Sequence, residues 1–279
     1  MKLKDINLRD PYILPFDGKY YMYGTRGVNH TGFDVFVSED LEIWSKPKSV
    51  FEGYGSFWAD KEFWAPEVYE YNSKFIMFAT FNSDNRNRGT QVLIAESPLG
   101  PFKEHSAGGV TPEEWESLDG TLYVEDGIPY MVFCHEWTQI GNGTVCYMRL
   151  SDDLKEAVSE PKVLWSAKDA CCFGENSKEA GYITDGPFLL NICGELICIW
   201  STICKGSYLE LIARSDNGRI DGNWSIDKKA LFEDDGGHGM IFKTFDNKHK
   251  FVYHSPNVLK EEHPCIMDIN VLDLKNNNK

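Results

Sequence analysis

A polar turn followed by a burst of large apolar residues occurs five times along this 279-residue chain. The copies are Asp17-Gly18-Lys19-Tyr20-Tyr21-Met22-Tyr23, Asn72-Ser73-Lys74-Phe75-Ile76-Met77-Phe78, Asp126-Gly127-Ile128-Pro129-Tyr130-Met131-Val132-Phe133, Cys193-Gly194-Glu195-Leu196-Ile197-Cys198-Ile199-Trp200 and Asp246-Asn247-Lys248-His249-Lys250-Phe251-Val252-Tyr253. Their last residues lie 55, 55, 67 and 53 positions apart. A period of this length in a strand-rich chain predicts a propeller with one blade per repeat. The expected fold is therefore all-β, a five-bladed β-propeller of four-stranded blades. It forms one domain over residues 1–274, followed by a disordered tail at 275–279.

Blades of a propeller converge on a central channel, so residues at matching points of each repeat meet there. Asp10 stands 13 residues before Tyr23, Asp119 14 before Phe133, Asp185 15 before Trp200 and His238 15 before Tyr253, while Glu67 stands 11 before Phe78. A short apolar segment follows each. These residues are expected to start the innermost strands and to ring one cavity. Clustered carboxylates raise one another's pKa, so a fold places them together chiefly for chemistry or a cation. Taken singly, Asp10-Pro11, Asp119-Gly120 and Asp185-Gly186 are ordinary turn dipeptides; the repeat is what weakens that explanation.

A second echo joins Val37-Ser38-Glu39-Asp40-Leu41, Leu150-Ser151-Asp152-Asp153-Leu154 and Ala213-Arg214-Ser215-Asp216-Asn217-Gly218. Each is expected at a blade edge, where a Ser-Asp turn ends pairing. Helix signals are scarce; one turn is expected around Thr111-Pro112-Glu113-Glu114-Trp115. The formal net charge is −15, with no basic run, which excludes nucleic acid as a partner class and favours a neutral oligosaccharide over an anionic polymer. The eight cysteines contain no Cys-x-x-Cys pair and are expected as buried thiols of a reducing compartment. No leader-like or membrane-spanning apolar stretch is present, so a cytoplasmic location without membrane partners is expected.

Together these residues resemble glycoside hydrolase family 43, five-bladed propellers acting as arabinofuranosidases, xylosidases and arabinanases. Arg9-Asp10-Pro11-Tyr12-Ile13 is similar to that family's opening, Phe63-Trp64-Ala65-Pro66-Glu67-Val68 to its second-blade motif and Leu118-Asp119-Gly120 to its third. Asp185-Gly186-Pro187 falls where the family has Glu-Gly-Pro, and Gly237-His238-Gly239 resembles the fifth motif. The resemblance implies an inverting glycoside hydrolase, with Asp10 as general base, Asp119 as modulator and Asp185 at the general-acid position. In such enzymes the two main carboxyls stand ~6.5–9.5 Å apart with a water between them. It also implies that His238 helps hold a calcium ion in the central channel.

Asp for Glu at position 185 shortens the acid's reach, which makes Glu67 and Glu136 candidate substitutes. Trp64, Glu67, Glu136 and Trp137 are candidate substrate-binding residues, whereas Trp200 is expected to pack between blades. The resulting expectation is an exo-acting α-L-arabinofuranosidase or β-xylosidase. The alternatives are an endo-arabinanase and a sugar-binding propeller with weakened or lost catalysis.

Overall fold

The computed structural model describes residues 1–27, 30–170, 172 and 181–275. Each of the five turn motifs is the tip of a hairpin. In four of them two consecutive residues take positive φ: Asp17 and Gly18 (47° and 73°), Asn72 and Ser73 (50° and 61°), Asp126 and Gly127 (53° and 79°), and Cys193 and Gly194 (53° and 89°). Positive φ at both central residues is the condition for the type I′ turn, whose twist matches that of the strands it joins.

The hairpins belong to five antiparallel sheets, each a meander in chain order. The first blade comprises Arg9–Phe16, Lys19–Thr25, Gly32–Ser38 and Lys48–Glu52, and the second Lys61–Tyr71, Lys74–Ser83, Arg86–Ala95 and Lys103–Gly109. The third comprises Ser117–Glu125, Ile128–His135, Thr144–Arg149 and Lys162–Ser166, and the fourth Asp185–Ile192, Glu195–Cys204, Ser207–Ser215 and Trp224–Ile226. The fifth has only Gly237–Lys243, His249–Ser255 and His263–Ile269, which corrects the expectation of four strands in every blade. After Ile269 the chain turns into a short 3-10 helix, Val271–Leu274, capped by the Asn270 side chain. The N-terminal turn Leu3–Asp5 packs on the last strand instead. The molecule is a five-bladed β-propeller.

The apolar bursts are the second strands. Met22, Tyr23, Met77, Phe78, Met131, Val132, Phe133, Ile199, Trp200 and Val252 are all fully buried. A second strand has a neighbouring blade on each face, so its side chains need not alternate with polar ones. Each such burial stabilises the fold by about 1.5–3 kcal/mol. Trp200 packs on Trp165, ring centroids 6.0 Å apart, and takes no part in the cavity.

Thr111–Trp115 forms a single turn closed by Trp115 N–H onto the Pro112 carbonyl, not a helix. The one α-helix among the described residues is Trp137–Ile140, and no helix there is long and apolar enough to cross a membrane. The Ser-Asp turns follow third strands and lead outward, so they do not mark the blade edge: Ser38 Oγ accepts from the N–H of Leu41. Cys134, Cys146, Cys198 and Cys204 are buried, but Cys193 sits exposed at a hairpin tip. Cys171 and residues 276–279 of the tail expected at 275–279 lie outside the described residues.

Every inner strand carries the same irregularity. Two of its residues oppose one residue of the second strand: Asp10-Pro11 against Gly24, Ala65-Pro66 against Ala79, Asp119-Gly120 against Phe133, Gly186-Pro187 against Trp200, and His238-Gly239 against Tyr253. The first residue of each pair has positive φ, between 45° and 56°. These are five equivalent β-bulges, and a bulge re-aims the side chain it carries.

Candidate active site

The bulges set which side chains reach the centre. Asp10, Asp119 and His238 occupy the first bulge position of blades one, three and five. In blade four that position is Gly186, and Asp185 stands one residue earlier. In blade two it is Ala65, with Trp64 one residue before and Glu67 two after. The five polar residues are therefore not equivalent, as their spacing suggested. Gly186 is required where it is: its φ is 51°, and a Cβ there would lie 2.5 Å from Cδ2 of the His238 ring.

Asp10, Asp119, Asp185, His238, Trp64, Glu136 and Trp137 all line one cavity of about 420 Å³. Asp10 receives the Thr25 hydroxyl at 2.6 Å on Oδ2. Its Oδ1 faces His238 Nδ1 at 3.2 Å and Arg9 Nε at 4.0 Å. Burial would raise its pKa, but His238, Arg9 and the Thr25 hydroxyl outweigh burial and hold it at about 2. His254 is lowered to about 4 by burial and is a neutral ring. Its Nδ1 accepts the N–H of Asp10 at 3.2 Å, so its nearness to Oδ1, 3.5 Å, is no ion pair.

The other two carboxyls are driven the opposite way. Burial and then repulsion from Asp10 raise Asp119 to about 8, against the hydrogen bond from Gly186 N–H to its Oδ2 at 3.0 Å. Burial and then Asp119 raise Asp185 to about 7, against His238 and the Tyr208 hydroxyl, which donates to Asp185 Oδ2 at 2.9 Å. One pocket thus holds an ionised carboxylate and a pair that retains a proton at neutral pH.

Trp64 lies under the Arg88 guanidinium, 4.9 Å from its ring centroid. Arg88 also binds Glu62 at 2.6 Å and Glu136 at 3.2 Å. Glu136 caps the short helix through Thr138 N–H, and that helix presents Trp137 to the cavity. Its neighbour His135 turns away and stacks on Trp115 with centroids 4.0 Å apart.

Glu67 is not in this cavity, contrary to its expected substrate-binding place. Immediately beyond the bulge, it bonds the Tyr69 hydroxyl and is raised to about 7 by burial. With His238 it lines a void of about 10 Å³, room for roughly one water. A calcium ion takes six to eight oxygen ligands; the His238 ring faces Asp10 Oδ1 at 3.2 Å and Asp119 Oδ2 at 3.9 Å. No cluster of three or more His, Cys, Asp and Glu among the described residues forms a ligand set.

Several residues at the site carried no signal of their own. Thr25, His254 and Tyr208 touch the carboxyls from strands distant in sequence. Arg9 joins Glu262 at 3.2 Å, and both line the cavity. Glu210 is fully buried behind the fifth bulge, where its Oε2 accepts from Ser201 Oγ at 2.7 Å and Gly239 N–H at 3.2 Å.

Comparison with known proteins bears on this geometry. The chain is similar to the structure of an endo-arabinase from Bacteroides thetaiotaomicron, with TM-score 0.90 and 35% identity over 97% of this chain and 96% of that one. It is similar to an endo-1,4-beta-xylanase of the same organism, with TM-score 0.80 and 27% identity over 96% and 92% of the two chains. It is also 24% identical over 144 residues to the extracellular endo-alpha-(1->5)-L-arabinanase 1 of Bacillus subtilis (strain 168), a stretch spanning 48% of this chain and 45% of that protein. The family model of the glycosyl hydrolases family 43 matches residues 4–269, so the chain belongs to that family.

Proposed function

We propose that the protein is an inverting glycoside hydrolase that cleaves within α-1,5-linked arabino-oligosaccharides. The observation that carries the chemistry is the opposed ionisation of two carboxyls in one cavity: Asp10 is held at about 2 and Asp185 is raised to about 7. Asp10 is the general base that takes a proton from water. Asp185 is the general acid that protonates the leaving oxygen from the other side of the sugar. Asp119 and Asp185 form a pair that keeps a proton at neutral pH, and the Gly186 N–H bond to Asp119 Oδ2 favours the ionised form of Asp119, which leaves that proton to Asp185. A carboxyl raised in this way also argues against a propeller that only binds sugar.

The substrate class is supported by the 35% identity to the endo-arabinase along nearly the whole chain. Endo cleavage replaces the exo action expected from sequence. Asn7 and Gly27 line both the main cavity and a second one of about 300 Å³ further out on blade one, so the binding surface extends beyond the centre. A β-1,4-xylan substrate is the second reading, favoured by the likeness to the endo-xylanase.

The test is hydrolysis of linear arabino- and xylo-oligosaccharides carrying a reduced end, with products followed by NMR. Mid-chain arabinan products released first as the β-anomer support the reading. Release of single sugars alone returns the assignment to exo action, and retention of the α-anomer overturns the roles of Asp10 and Asp185.

A further inference from the structure

The five bulges need five hydrogen-bond acceptors, because each turns a buried N–H toward the preceding blade. Four acceptors come from one structural position, the second-strand residue opposite the residue before the bulge. Thr25 Oγ1 accepts Ala65 N–H at 2.7 Å, Thr80 Oγ1 accepts Asp119 N–H at 2.9 Å, Ser201 Oγ accepts His238 N–H at 2.7 Å, and His254 Nδ1 accepts Asp10 N–H at 3.2 Å, closing the ring. In the third blade that position is Cys134, paired across from Leu118. A thiol is a weak acceptor, and Gly186 N–H goes instead to Asp119 Oδ2 at 3.0 Å.

We propose that Cys134 is a positioning residue: by offering no good acceptor, it lets Asp119 reach across the blade boundary to Gly186 N–H, which holds the Asp119 carboxylate beside Asp185. Blade one shows the alternative. There Thr25 stands between the two groups, donating to Asp10 Oδ2 and accepting from Ala65 N–H. A hydroxyl at position 134 would insert in the same way and push the Asp119 carboxylate back from blade four. Cys134 is fully buried, and it is kept a neutral thiol by burial and by the carboxyls of Asp119 and Asp185, so it competes for no proton at working pH. This inference deepens the proposed function and rests on Asp119 taking part in it.

The experiment compares Cys134→Thr with Cys134→Ala, with Cys134→Ser replacing the former if Thr does not fold. A charge-assisted hydrogen bond lost at the reacting centre costs about tenfold or more in rate. The hydroxyl variant is therefore expected to lose about that factor in kcat with KM nearly unchanged, while Ala retains most of kcat. A second readout is independent of activity. The Gly186 amide NMR shift should respond to Asp119→Ala in the parent and in the Cys134→Ala background, and stop responding once a hydroxyl is present. An equal loss of kcat in Ala and Thr, or a Gly186 amide that still senses Asp119 in the Thr variant, overturns the inference. If the parent cleaves neither arabinan nor xylan oligosaccharides, the functional reading fails, and the amide shifts still decide the bridge.

Discussion

His238 Nδ1 lies 3.2 Å from Asp10 Oδ1, on the carboxylate oxygen that the Thr25 hydroxyl leaves open. The pair joins the first and fifth blades at the bottom of the cavity, and it sets the charge of the proposed base. Asp10→Asn keeps the shape and the Thr25 contact but cannot take a proton. Hydrolysis is expected to fall by about 10²–10⁴-fold or more with the melting behaviour little changed. Near-normal turnover by the folded variant would remove Asp10 from the mechanism.

The proposed acid is one methylene shorter than the family pattern, and Tyr208 shows how the site fits it. Its hydroxyl reaches Asp185 Oδ2 from a buried ring. Asp185→Ala should reduce cleavage of natural oligosaccharides far more than cleavage of nitrophenyl glycosides, whose leaving group departs without a proton. Asp185→Glu should lower activity on both, because the longer side chain meets Tyr208. Equal losses on the two substrate types in the Ala variant would leave Asp185 a shaping role only, and a gain in the Glu variant would show that Asp is a weakened acid. Glu67→Gln serves as the control: Glu67 lies outside the cavity, so its variant should keep the ratio of the two activities.

The hairpin tips and the apolar second strands were legible because each is a local signal: a turn dipeptide with positive φ, then residues buried on both faces. Asp10, Asp119 and Asp185 were legible from motifs beside those strands. The bulges were not. Which of two adjacent residues carries the bulge depends on pairing across strands, so the offsets of Asp185 and Glu67 were hidden in counts along one chain. Thr25, Tyr208 and His254 act from positions 15 to 244 residues away from the aspartates they touch, and no local pattern marks them. The missing fourth strand of the last blade was equally hidden, since the repeat signal lies in the first two strands.

The pH dependence of kcat/KM follows from the same groups. Asp10 is held at about 2, so the base stays ionised throughout the mildly acidic range. Asp185 is raised to about 7 and is active only while protonated, so activity should fall as pH rises through about 7. His238→Ala removes a group that lowers Asp10, and the acid limb should move to higher pH. A profile that climbs between neutral and alkaline pH would reverse the assignment of base and acid.

Glu210 gives a separate prediction about stability. Its Oε1 has no hydrogen-bond partner among the described residues, and a charge left there would be costly. Burial raises its pKa from 4.5 to about 8, against the donors Ser201, Gly239 and His238 N–H. The folded state therefore holds this proton more tightly than the unfolded chain. The stabilisation is fully present below about 4.5 and is lost as pH rises through about 8, with a slope of up to about 1.4 kcal/mol per pH unit for one proton. Asp119, Asp185 and Glu67 act in the same direction. Glu210→Gln cannot titrate but keeps an oxygen for Ser201 and Gly239. Thermal melts across this range should show the parent losing stability steadily with pH and the Gln variant losing it less steeply. Parallel curves for the two proteins would mean that Glu210 is already ionised in the folded state, and that the donors around Oε2 outweigh its burial.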